Sequence, residues 1–103
     1  MIMLRPIQPA DEDFLFRVHA STRKEEVAAF GWEEAQQQAF LRMQFDLQRR
    51  SYAMGYPHAK HELICYGGAR AGQMLTNRSG VTFTLVDISL LPEYRNRGIG
   101  SAL

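Results

Sequence analysis

The spacing of hydrophobic positions changes character along the chain. Ile2-Met3-Leu4-Arg5 is a short apolar run closed by Pro6, and it predicts a first strand. Phe14, Leu15 and Val18 then recur on one face at helical spacing, behind Pro9 and the acidic run Asp11-Glu12-Asp13. A proline at the first helical position costs no hydrogen bond, and negative charge suits a first turn, so a helix is expected from Pro9 to Ser21. Lys24 to Phe30 reads as a separate helical turn, broken by Gly31. Ala39, Phe40, Met43 and Leu47 form the stripe of a long helix from Trp32 to Ser51. Tyr52 to Lys60, with Gly55, Pro57 and His58, reads as a loop.

From Glu62 onward the helical period disappears. Glu62 to Tyr66, Gly72 to Thr76 and the longer Val81 to Leu91 are β-type runs. They are separated by the turn-forming stretches Gly67-Gly68-Ala69-Arg70 and Asn77-Arg78-Ser79-Gly80. Connections this short give an antiparallel meander. The fold class that follows is α+β: strand, helix, helix, then three strands.

Composition bounds the reading without deciding it. A chain of 103 residues makes one small domain, residues 1–103. Its 46% hydrophobic and 22% charged residues are ordinary for a globular protein. A net charge of +1 offers no reason to expect nucleic acid or an anionic membrane as partner. No apolar run is long enough to span a bilayer, and Met1 to Pro6 lacks the apolar core of a signal peptide. Cys65 is the single cysteine and reads as a small core residue. With no internal disulfide to form, a reducing, cytoplasmic setting is expected. His19 reads as a partly exposed structural histidine. His58 and His61 lack acidic or cysteine companions for a metal site, so no metal is expected. Trp32 reads as a packing residue before the long helix.

The stretch richest in chemistry is Leu90-Leu91-Pro92-Glu93-Tyr94-Arg95-Asn96-Arg97-Gly98-Ile99-Gly100-Ser101-Ala102-Leu103. An apolar strand leads into a polar loop with two arginines, then two glycines one residue apart, then a helix-compatible tail. That layout presents unpaired backbone N–H groups and a helix dipole to an anion. Gly98 and Gly100 remove the Cβ atoms that would hold a phosphate away from the backbone. Arg95 and Arg97 add charge and forked donors suited to phosphate oxygens. The pattern lacks the third glycine of a dinucleotide fingerprint and the Gly-Lys-Ser/Thr ending of a nucleotide P-loop.

Arg95-Asn96-Arg97-Gly98-Ile99-Gly100 fits Arg/Gln-x-x-Gly-x-Gly/Ala at every fixed position, with an apolar strand and a proline before it. This resembles the coenzyme A motif of the GNAT N-acetyltransferase superfamily. The order of elements resembles the N-terminal half of that fold, ending just after the motif. The resemblance implies a strand whose exposed backbone at Ile88, Ser89 and Leu90 pairs with the pantetheine arm. It implies a pyrophosphate held by N–H groups in Arg95, Asn96, Arg97, Gly98, Ile99, Gly100 and Ser101. Acetyl-CoA would be the co-substrate, and an amine of a small molecule or peptide the acceptor. The reaction implied is direct acetyl transfer, with a general base taking the amine proton.

The resemblance leaves the catalytic residues open. Where some relatives carry a glutamate base, this chain has Thr84, which cannot serve. Asp87 is the carboxylate on that strand, and anchoring the strand is as good a role for it as catalysis. The alternative function is a truncated, non-catalytic coenzyme-binding or protein-interaction module. The elements that would cover the last strand of a complete GNAT fold are expected to be absent. Leu85, Ile88 and Leu90 should then be partly uncovered, and that sheet edge is where a homo-oligomer would form.

Overall fold

The computed structural model describes residues 1–99. Strand β1 (Ile2–Pro6) leads through a 3-10 turn, Pro9–Asp11, into helix α1 (Glu12–Ala28), which is followed by helix α2 (Glu34–Gly55). Strands β2 (Lys60–Tyr66), β3 (Ala69–Ser79) and β4 (Thr82–Leu90) follow, and a second 3-10 turn spans Pro92–Tyr94. The sheet is antiparallel throughout in the order β1-β2-β3-β4. Helix α1 lies against β3, β4 and α2. The core gathers Phe14, Leu15 and Val18 of α1, Phe45 of α2, Leu63 of β2 and Leu91 beyond β4.

The expected α+β order holds, with three differences in the helices. Lys24 to Ala28 continues α1 rather than forming a separate turn, because Val27 adds a buried anchor about two and a half turns beyond Val18. Helix α2 runs four residues past Ser51, to Gly55. Its buried face is also rotated from the expected stripe. Met43 and Leu47 are half exposed, and the residues turned inward are Leu41 and Phe45. Trp32 packs in an aromatic cluster, with ring centroids 4.9 Å from Phe30 and 5.3 Å from Phe40.

Local chemistry explains the sheet. Tyr66 pairs with Ala69 across a two-residue loop, Gly67-Gly68, whose φ values of 59° and 85° are left-handed. Such turns match the twist of the flanking strands, and glycine adopts them without strain. Gly80, at φ 59°, does the same between Ser79 and Thr82. Strand β3 therefore extends further toward both turns than the expected Gly72 to Thr76, whereas β4 is one residue shorter at each end than the expected Val81 to Leu91. The register shifts by one residue between Leu75 and Thr76, which leaves Val86 as an extra residue on β4. A bulge of this kind bends a strand and re-aims the side chains beyond it.

Asp11 ties the helical layer to the sheet. Its buried carboxylate accepts hydrogen bonds from Arg5 of β1 at 3.0 and 3.2 Å, from Arg70 of β3 at 3.3 Å, and from the Gln8 backbone N–H at 2.9 Å. Arg5 foremost, then the Gln8 N–H, hold its pKa at about 2.

Candidate functional site

Among the described residues β4 is an edge strand, so one side of its backbone has no neighbouring strand. A groove of about 360 Å³ runs beside this edge, lined by Thr22 of α1 together with Ile88, Ser89, Leu90 and Arg95. Four of the residues expected at a coenzyme site therefore share one surface. The close packing behind them depends on Gly72 of β3. A Cβ there would collide with the Ser89 carbonyl oxygen and lie 2.9 Å from the Leu90 Cα. The end of β4 is held in place by the Leu91 N–H, which donates to the Ala71 carbonyl at 2.8 Å.

The loop after β4 is compact. Pro92–Tyr94 makes one 3-10 turn, and the backbone then becomes left-handed at Asn96 (φ 64°) and at Gly98 (φ 73°). Asparagine and glycine are the residues that adopt this conformation most readily. Arg95 Nε donates to the Leu90 carbonyl at 3.1 Å, and Arg97 Nε donates to the Glu93 carbonyl at 2.9 Å. Each arginine thus braces the loop through Nε. Ile99 is fully buried and anchors the far end. Gly100 and Ser101, also expected at the site, lie outside the described residues.

A second cavity, of about 270 Å³, opens between α1, α2 and the sheet. The sequence reading did not assemble it. Leu15, Val18, Phe45, Tyr56 and Leu75 supply much of its apolar wall. Its polar wall holds His19, Gln48, Tyr52, His61, Gln73, Asp87 and Ser89, with Arg49 at the same face. Three of these form a chain across neighbouring strands. Gln73 Nε2 donates to Asp87 Oδ2 at 2.8 Å, and Gln73 Oε1 stands 2.8 Å from His61 Nε2.

The direction of this chain follows from donor arithmetic. An ionised carboxylate only accepts, so Gln73 must turn its NH₂ group toward Asp87 and its oxygen toward His61. His61 Nε2 must then carry the proton, which leaves the lone pair of the neutral imidazole on Nδ1. Burial, and secondarily the charge of Arg49, push the His61 pKa below its ordinary value, outweighing the opposing Gln73 bond and Asp87 charge. Asp87 is thus engaged as the anchor of this chain.

His19 differs from expectation: it is buried, and its ring lies 5.7 Å from that of Phe45. Its Nε2 is buried without a hydrogen-bond partner. Desolvation is the main cause that lowers its pKa. Tyr52 is shifted upward, chiefly by burial and then by the charge of Asp87. Cys65 is only partly buried and packs on the margin of the core.

The cavity and the edge groove meet. A polar depression lined by His19, Thr22, Arg23, Glu26, Gln48, Asp87, Ile88 and Ser89 shares walls with both, and Ser89 belongs to all three. Periodicity could not have revealed the cavity, because its polar lining interrupts the apolar stripes that identify elements. The available signal was the presence of polar residues at inward strand positions, Gln73 and Asp87.

Comparison by sequence finds no matching family model and no matching curated protein. Comparison of structures does find similar folds. The PaiA N-acetyltransferase of Thermoplasma acidophilum, solved in complex with coenzyme A, matches all of this chain over 67% of its own length, with a TM-score of 0.64 and 18% identity. A Desulfovibrio desulfuricans protein assigned to the GNAT acetyltransferases matches all of this chain over 60% of its length, with a TM-score of 0.56 and 19% identity. The described residues therefore have the fold of the corresponding part of GNAT acetyltransferases.

Proposed function

We propose that this chain is an acetyltransferase domain that binds acetyl-CoA along the open edge of β4 and transfers its acetyl group to an amine. The observation that carries the reading is the convergence of Ile88, Ser89, Leu90 and Arg95 on one groove at an unpaired strand edge. An extended pantetheine arm carries amide groups, and an unpaired strand edge offers the backbone donors and acceptors to meet them. The left-handed loop from Asn96 to Gly98 follows directly, where its N–H groups and two arginines suit a pyrophosphate. In this reading Arg95, Asn96, Arg97, Gly98, Ile99, Gly100 and Ser101 form the phosphate end of the site. The PaiA protein, whose fold is similar, was solved with coenzyme A, which supports the choice of coenzyme.

The chemistry needs little from the protein beyond placement. A thioester in the groove reaches the cavity wall at Ser89, where the two hollows meet. Holding both reactants there replaces a bimolecular encounter by a positioned one. Titration calorimetry with acetyl-CoA tests the reading: saturable heat at one site per chain is expected, and no heat together with no thermal shift at millimolar coenzyme contradicts it. The turn residue Val81 and the outer half of β4, where Phe83 and Leu85 are exposed, are where we place contact between copies of the chain.

A further inference from the structure

We infer that the cavity between α1, α2 and the sheet is the acceptor site for a small, largely apolar primary monoamine, and that His61 takes the amine proton. The inference rests on the acetyltransferase reading above and adds the residues and the substrate class.

Size comes first. At about 270 Å³ the cavity falls just below the roughly 300–1,000 Å³ typical of sites for drug-sized ligands, so its occupant is a one-ring or short-chain molecule. Lining comes second. Leu15, Val18, Phe45 and Leu75 favour an apolar body. Charge comes third. The cavity wall carries one carboxylate, Asp87, and one guanidinium, Arg49. The adjoining depression adds one more of each, Glu26 and Arg23. A balanced wall suits a single amine and does not reward a polycation.

The position of the amine follows from the shared wall. Asp87 and Ser89 border both the cavity and the depression that leads to the groove, so a nitrogen beside them faces a thioester arriving along β4. His61 stands in the same cavity with its proton on Nε2, fixed there by Gln73, which Asp87 orients. Nδ1 is therefore the basic atom.

The amine lone pair forms the N–C bond to the acetyl carbonyl, and the C–S bond breaks with its electron pair leaving on sulfur. The nitrogen gives its proton to His61 Nδ1 through intervening water, because His61 stands two strands from Asp87, and the thiolate is protonated from solvent. His61 is the catalytic base, and Gln73 and Asp87 are positioning residues. The titratable and charged groups that share its cavity are Arg49 and Tyr52 of α2, Tyr56 just beyond it, His19 of α1 and Asp87 of β4. Its depressed basicity keeps it neutral at pH 7, as a base requires.

The test uses the full chain, acetyl-CoA, and phenethylamine as the acceptor probe, with thiol release as the rate and calorimetry as a separate readout of coenzyme binding. The parent protein should turn over phenethylamine and should favour it over spermidine and over a lysine-containing peptide. Its kcat should fall on an acid limb below the ordinary histidine range, and this limb should stay in place when less basic benzylamine is substituted. His61→Gln should lower kcat by about 10²–10⁴-fold and abolish that limb. Acetyl-CoA affinity should stay within about twofold of the parent's, because the groove is unaltered. Gln73→Leu should lower kcat more than it raises KM.

Normal acetyl-CoA binding with a His61→Gln rate near the parent's would overturn the assignment of the base. Preference for spermidine, or no turnover of phenethylamine, would overturn the substrate class. An acid limb that moves with the amine would identify substrate ionisation instead, and it refutes the role of His61 even if His61→Gln fails to fold. Failure of the parent to bind acetyl-CoA would instead remove the acetyltransferase reading itself, and this inference with it.

Discussion

Replacing Gly72 by alanine should damage the fold and the groove beside β4 together. Gly72 sits on β3 opposite Leu90, where β4 approaches most closely. The added methyl would meet the Ser89 carbonyl oxygen and lie 2.8 Å from Leu90 Cδ2 and 2.9 Å from Leu90 Cα. Two of these three atoms are backbone and cannot swing aside as a flexible side chain would. Retreat of the strand is resisted because the Leu91 N–H is bound to the Ala71 carbonyl at 2.8 Å. Overpacking of this kind costs about 1–3 kcal/mol. For a domain of this size that corresponds to a fall in melting temperature of roughly 5–20 °C. The displaced residues are Ser89 and Leu90, so acetyl-CoA affinity should fall in the same variant, measured well below its melting point. Gly80→Ala is the control. It meets no atom within 4 Å, and its φ of 59° makes the change a matter of backbone strain alone, at the opposite end of the β3–β4 ladder from Leu90. It should lose about 1–2 kcal/mol and bind acetyl-CoA normally. If Gly72→Ala melts within about 2 °C of the parent and binds as tightly, the close approach of β4 to β3 is not what holds the groove.

Gly98→Val should bind acetyl-CoA at least tenfold more weakly in calorimetry, since a β-branched residue at φ 73° distorts the phosphate loop; unchanged affinity removes that loop from the site. Asp11 should give the fold an acid-sensitive contribution. Its pKa is depressed from 3.8 to about 2, so the stabilisation is fully present above pH 4 and is lost as the pH falls toward 2. The full linkage is about 2.5 kcal/mol. The partner guanidiniums are 39% and 42% exposed, so screening leaves roughly 1–2 kcal/mol. Urea melts of Asp11→Asn against the parent at pH 7 and near pH 2.5 should therefore converge in the acid, and a constant difference refutes the account. Light scattering at rising concentration should show association, suppressed by Phe83→Lys on the exposed outer half of β4; a parent that stays monomeric excludes that contact.

The sequence reveals elements wherever a local rule acts alone. The double-glycine hairpin at Gly67-Gly68, the proline before α1 and the break at Gly31 each place a boundary for a stated stereochemical reason. The buried face of α2 was misread for an equally physical reason. Two rows compete on that helix. Phe40, Met43 and Leu47 make the more apolar row, yet Leu41 and Phe45 face inward because their row continues into Gln48 and Tyr52, which line the cavity. A functional hollow needs polar side chains on an inward face, and that requirement erases the hydrophobic period. The residues proposed for the coenzyme could be grouped from the sequence because they are contiguous, from Ile88 to Gly98. The chain from His61 through Gln73 to Asp87 was not, because its members come from three strands and meet only through register. By sequence Asp11 is a first-turn acid; its bond to Arg5 crosses from strand to helical turn, and its bond to Arg70 joins residues far apart in the chain, so local rules reach neither.

The central claim is that acetyl-CoA lies along the free edge of β4 with its phosphates at the following loop. The most direct test is a two-dimensional amide spectrum of the isotope-labelled chain titrated with acetyl-CoA. The largest shifts should fall on the N–H groups of Ile88, Ser89 and Leu90 and on those from Arg95 to Gly98, while Gly80, in the turn at the opposite end of β3 and β4, stays fixed. Saturating coenzyme that leaves the 88–98 amides in place, or moves a different surface, would contradict the account.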